Sequence, residues 1–102
     1  MAPVIRLLRT NPSIFKLDVC VSGQHREMLD QVLVVFEITP DHDLRVMRPG
    51  QSLADLTAQI LTRMQGHIEA TKPDLVLVHG DTTTALATAI AAFYAGVPIG
   101  HV

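Results

Sequence analysis

This sequence predicts an α/β fold with a doubly wound parallel sheet, and three observations carry that expectation. The run Leu75-Val76-Leu77-Val78-His79 is apolar or nearly so and of strand length, as suits a strand covered on both faces. It breaks at Gly80-Asp81 into Thr82-Thr83-Thr84 and an alanine-rich helical stretch closed by Gly96 and Pro98. Strand-like and helix-like stretches alternate along the chain, the pattern of a parallel sheet with right-handed crossovers. In open α/β sheets ligands bind beyond the carboxyl ends of the strands. The turn after residue 78 puts one imidazole, one carboxylate and three hydroxyls there.

The elements follow in order. Pro3 suits the first turn of a helix, and Val4, Ile5, Leu7 and Leu8 give it an apolar stripe up to Asn11-Pro12. Residues 15–21 alternate and read as a strand, turned by Ser22-Gly23-Gln24. From Glu27 onward, Met28, Leu29, Val32, Leu33 and Phe36 fall at helical spacing. Residues 39–43 read as a loop, 44–47 as a short strand and 48–51 as a second loop. Ser52 with Asp55 resembles a capping box. Behind it Leu53, Leu56, Ile60, Met64 and Ile68 mark a long amphipathic helix from Ser52 to about Ala70. The strand at 75–79 follows, then a helix over 83–95 capped by Asp81 or Thr82, then a last strand over 97–102. The chain opens on a helix and stops within a strand. The expectation is therefore an excerpt of a doubly wound domain.

Bulk composition narrows the function. A chain of 102 residues, 48% hydrophobic and 18% charged, is a globular composition of at most one small domain, or part of a larger one. Its net charge of −2, with scattered basic residues, favours neither nucleic acid nor an anionic membrane surface. The single cysteine, Cys20, excludes an internal disulfide and reads as a small core residue. No metal site or cofactor is expected. No apolar run is long enough to span a bilayer, and a cytoplasmic location is the default expectation.

Three stretches together resemble one family. They are Gln24-His25-Arg26-Glu27-Met28-Leu29-Asp30-Gln31, Pro73-Asp74 running into Val78-His79-Gly80-Asp81-Thr82-Thr83-Thr84, and Ala91-Ala92-Phe93-Tyr94 continuing to Val97-Pro98-Ile99-Gly100-His101-Val102. In order and spacing they resemble the non-hydrolysing UDP-N-acetylglucosamine 2-epimerases of bacteria, over essentially the whole chain. The resemblance implies a glycosyltransferase-B-like fold of two Rossmann-like halves. Residues 1–102 would form an incomplete N-terminal domain, lacking its first strand and the C-terminal domain. It implies interconversion of UDP-N-acetylglucosamine and UDP-N-acetylmannosamine, by elimination of UDP to a 2-acetamidoglucal and re-addition with C2 inverted. It also implies homodimers and a place in cell-surface polysaccharide synthesis. In the family a lysine precedes the position of Met1, Glu-Ala-Gly-Leu-Arg follows that of Val102, and the second half supplies a catalytic histidine.

Each candidate residue carries two readings. Asp81 is a helix cap or, by the resemblance, the catalytic acid/base carboxylate; the two are compatible. Thr82 and Thr83, with Thr84, are N-terminal capping residues or contacts to an anionic ligand favoured by the helix amides and dipole. His79 is a satisfied strand-end residue or a substrate contact. Gln24 and His25 belong to a solvated turn or, by the resemblance, contact the nucleotide sugar. Glu27 and Gly50 stand where some relatives carry Gln and Arg to bind a second, activating substrate molecule. His101 lies on the last strand with no assigned role. Alternatives to the epimerase are a hydrolysing 2-epimerase, a catalytically inactive nucleotide-sugar-binding fragment, and a half-domain of a plain glycosyltransferase.

Overall fold

The computed structural model describes residues 2–22, 41–46 and 48–102. The helix expected from Glu27, and Gln24, His25 and Arg26, lie outside the described residues. The chain divides into two compact units, Met1–Arg45 and Val46–Val102.

In the first unit, helix α1 spans Ala2–Arg9 and begins with Pro3 in its first turn. Its last turn carries Arg6 and Arg9, cations favoured at the negative end of the helix dipole. Side chains close it, with Thr10 Oγ1 and Asn11 Nδ2 both donating to Leu7 O, at 2.7 and 2.9 Å. Strand β1 is only Cys20–Val21, and it pairs in parallel with β2, His42–Asp43. Val19 is buried with Ile5, Leu17 and Val21 packed against it.

Two expectations need correction here. Residues 15–18 are not strand, and Phe15 is exposed. Val19 N–H donates to the Asp41 carboxylate at 2.6 Å, so a side chain stands where a ladder partner would. The second strand falls on His42–Asp43, inside the expected loop, while residues 44–46 of the expected strand at 44–47 are not strand and Met47 lies outside the described residues. The Asp43 carboxylate accepts from Arg45 N–H at 2.9 Å, an Asx-type turn, and Arg45 takes φ 53°. That left-handed residue ends the extended run, although Leu44 and Val46 are buried as their apolar character demands.

Cys20 is half-buried beside this ladder. Burial, then the neighbouring charges of Asp18 and Asp43, push its thiol up from 9.0 to about 12. A raised thiol means that the folded state keeps a proton the unfolded chain has lost. This contribution to stability is whole below about pH 9 and is lost as pH climbs toward 12. At pH 8 the folded thiol should therefore react with an aromatic disulfide reagent more slowly than free cysteine. Labelling with and without denaturant checks this; equal rates would refute it.

In the second unit, helix α2 spans Leu53–Thr71. Ser52 caps it, its Oγ accepting from Asp55 N–H at 3.1 Å. Leu56, Ile60, Met64 and Ile68, one per turn, are buried as the periodicity requires. Leu53, expected on the same stripe, is exposed; it sits at the helix start, ahead of the packed turns. The helix ends at Lys72 in the left-handed region, φ 48°, with its N–H on Ile68 O.

Strand β3, Val76–Val78, pairs in parallel with β4, Ile99–His101, matching Val76 to Ile99, Leu77 to Gly100 and Val78 to His101. Between them runs α3, Thr83–Tyr94, packed on α2, β3 and β4. Its alanines Ala85, Ala87, Ala91 and Ala92 are buried, small enough for close helix packing. Its end is a Schellman motif: Val97 N–H donates to Ala92 O and Gly96 N–H to Phe93 O, with Gly96 at φ 73°. The expectation that residues 75–79 are covered on both faces does not hold in the described residues. Val78 is buried, but Leu75 and Leu77 are exposed, as is Ile99 on the paired strand.

Candidate functional site

The site is the turn between β3 and α3. Val78 ends the strand, and His79 and Asp81 stand exposed on either side of Gly80. Gly80 has φ 79°, a conformation that side-chain-bearing residues adopt only under strain, while the space around it is open. The turn requires glycine for its backbone, not for room.

Thr82 resolves the open capping question. Its backbone is extended, φ −81° and ψ 163°, and its Oγ1 accepts from Ala85 N–H at 3.2 Å. Thr82, not Asp81, caps α3. No salt bridge engages the Asp81 carboxylate among the described residues, so capping leaves its charge uncommitted. Thr83 and Thr84, half-buried, open the helix, whose first amides and dipole favour an anion.

The adjoining strand holds this turn from two sides. Gly80 N–H donates to Val102 O at 3.3 Å, continuing the parallel ladder past Val78. His101 Nε2 lies 2.7 Å from Gly80 O. A carbonyl only accepts, so Nε2 carries the hydrogen and donates it. The register opposite Val78 places His101 at this edge. Pairing of the two consecutive strands of one βαβ unit is the signal that would have pointed to it. The structure thus brings His79, Asp81, Thr82 and Thr83 together on one turn and adds His101. Gln24 and His25 lie outside the described residues.

A separate groove of about 310 Å³ is lined by Arg48, Gly50, Gln51 and Asp55 near the start of α2. Gly50 sits there at φ 72°, a backbone that resists the arginine some relatives are expected to carry at this place. The side-chain amide of Gln51 is buried without a hydrogen-bond partner among the described residues.

A family model described as UDP-N-acetylglucosamine 2-epimerase matches residues 7–102. The chain belongs to the UDP-N-acetylglucosamine 2-epimerase family. It is 56% identical over all 102 residues to a probable UDP-N-acetylglucosamine 2-epimerase of Ralstonia solanacearum. It is 55% identical to the UDP-N-acetylglucosamine 2-epimerase of Escherichia coli K12. The crystal structure of the Neisseria meningitidis epimerase bound to UDP-GlcNAc superposes with a TM-score of 0.90 at 51% identity, over 100% of this chain and 28% of that one. The chain spans 27% of the length of these curated relatives. The fold is accordingly that of part of the N-terminal, Rossmann-like half of a glycosyltransferase-B-like epimerase.

Proposed function

We propose that the protein carrying this segment interconverts UDP-N-acetylglucosamine and UDP-N-acetylmannosamine, and that the β3–α3 turn is part of its active site. The observation that carries the proposal is Asp81, an uncapped, exposed carboxylate at the carboxyl end of a parallel strand. It stands within a chain half identical to epimerases throughout.

In this reading Asp81 is the acid/base group at C2. The C2–H and C1–O bonds break, UDP leaves, and a C1–C2 double bond forms. A proton then returns to the opposite face of C2 as UDP adds back at C1. Such a step needs a group within hydrogen-bond reach of the proton and dipoles that stabilise the departing diphosphate. The amides opening α3, beside Thr82 and Thr83, are suited to the second task. His79 and, by the family resemblance alone, Gln24 and His25 complete the proposed substrate contacts. A homodimer of the whole protein and a cytoplasmic location belong to the same proposal. No helix among the described residues is long and apolar enough to cross a membrane.

The expected product distinguishes this reading from its hydrolysing alternative. Incubating the whole protein with UDP-N-acetylglucosamine should yield UDP-N-acetylmannosamine at equilibrium, with little free UDP. Stoichiometric free UDP and N-acetylmannosamine would assign the hydrolysing reaction. Saturable binding without turnover would assign a binding protein.

A further inference from the structure

We infer that His101 is a positioning residue for Asp81, acting through the carbonyl of Gly80. The inference rests on the reading of Asp81 as the acid/base group. Gly80 and Asp81 share one peptide plane, and its orientation sets the direction in which Asp81 leaves the strand. Glycine gives that plane little intrinsic preference, because both signs of φ are open to it. The plane is therefore held from outside. On the strand side the preceding peptide plane is fixed, because the Gly80 N–H is bonded to Val102 O. On the helix side Thr82 fixes the first turn of α3. Between these, the Gly80 carbonyl takes the Nε2–H of His101 at 2.7 Å.

His101 reaches this carbonyl from 21 residues away in the chain, because the parallel register sets it opposite Val78. Its ring lies in the exposed part of the unit and fills no core position. A side chain that contributes no core packing but bonds the backbone of the catalytic turn affects geometry more than stability. The imidazole also matches the task in length. Its Nε2 is the far atom of a rigid ring, so the hydrogen is delivered with few rotamers to freeze.

The test uses the whole enzyme and four variants: His101→Leu, His101→Asn, His101→Gln and Asp81→Asn. Removing the donor with Leu should lower kcat about ten- to a hundredfold, the scale of a small misplacement of a reacting group, with KM changed less than kcat. Asn keeps polarity and size class but falls short of Nε2, so it should behave like Leu; it carries the test if Leu disturbs folding. Gln, whose amide nitrogen reaches the Nε2 position, should restore most of kcat. In the Asp81→Asn background, His101→Leu should cost nothing more, since residues acting through one another are not additive. Full turnover in both His101→Leu and His101→Asn, beside an inactive Asp81→Asn, overturns the positioning proposal alone. So does a His101 loss that adds fully to that of Asp81→Asn. Full turnover in Asp81→Asn instead overturns the reading of Asp81, and this proposal with it.

Discussion

Replacing Asp81 with asparagine in the whole enzyme is expected to lower turnover about a hundred- to ten-thousandfold, the usual range for removing a general acid or base, while leaving the fold intact. The two halves of that expectation come from different residues. Asparagine keeps the size of the side chain and removes its charge, so proton transfer at C2 is lost. Stability is spared because Thr82 Oγ1 accepts from Ala85 N–H and caps the helix. What remains at risk is the attraction of a carboxylate to the helix N-terminus, about 0.3–1 kcal/mol. Steady-state kinetics with thermal unfolding separates the two. A variant that melts early would mean that the carboxylate has a structural task not visible in its hydrogen bonds.

The second large effect concerns the 102-residue polypeptide expressed alone. It is expected to convert no UDP-N-acetylglucosamine and to associate or unfold readily. Among the described residues, strands β1 and β2 have two residues each and β3 and β4 three, in sheets of two strands. Two-stranded sheets are marginal without further partners, and open edges invite pairing with other chains. Leu86, Phe93 and Tyr94 of α3 are 60–73% exposed, and Leu77 and Ile99 present an uncovered sheet face. Apolar surface of that kind marks an interaction surface or an aggregation site. With a net stability of only about 5–15 kcal/mol in ordinary domains, little is left to offset it. Light scattering, thermal unfolding and an epimerase assay on this polypeptide check the expectation. A monomer with a sharp unfolding transition would contradict the first part, and measurable epimerisation the second.

Much of the second unit was legible in the sequence, because its signals are local. Ser52 before a periodic apolar stretch predicts the α2 cap, and Leu56, Ile60, Met64 and Ile68 predict its buried stripe. Gly96 and Pro98 predict the end of α3, and Gly80 the turn that carries Asp81. The first unit was harder to read because polar side chains there do backbone work. Asp41 accepts the Val19 amide, and Asp43 turns the chain at Arg45, so β2 lies in a stretch with loop composition. A strand of apolar residues does not say whether both its faces are covered, so the exposure of Leu75 and Leu77 is not written in their side chains. The link from His101 to Gly80 depends on strand register, a long-range property. The resemblance to the epimerases, by contrast, was carried by contiguous words, and the family match over residues 7–102 bears it out.

The central claim is that Asp81 moves the C2 proton of a UDP-sugar, and solvent isotope exchange tests it most directly. The whole enzyme and its Asp81→Asn variant are incubated with UDP-N-acetylglucosamine in deuterated water, and deuterium at C2 is followed by proton NMR. The wild type should place deuterium at C2 as UDP-N-acetylmannosamine forms, and the variant should show neither exchange nor product. Product formed without deuterium at C2, or exchange in the variant at the wild-type rate, would contradict the account.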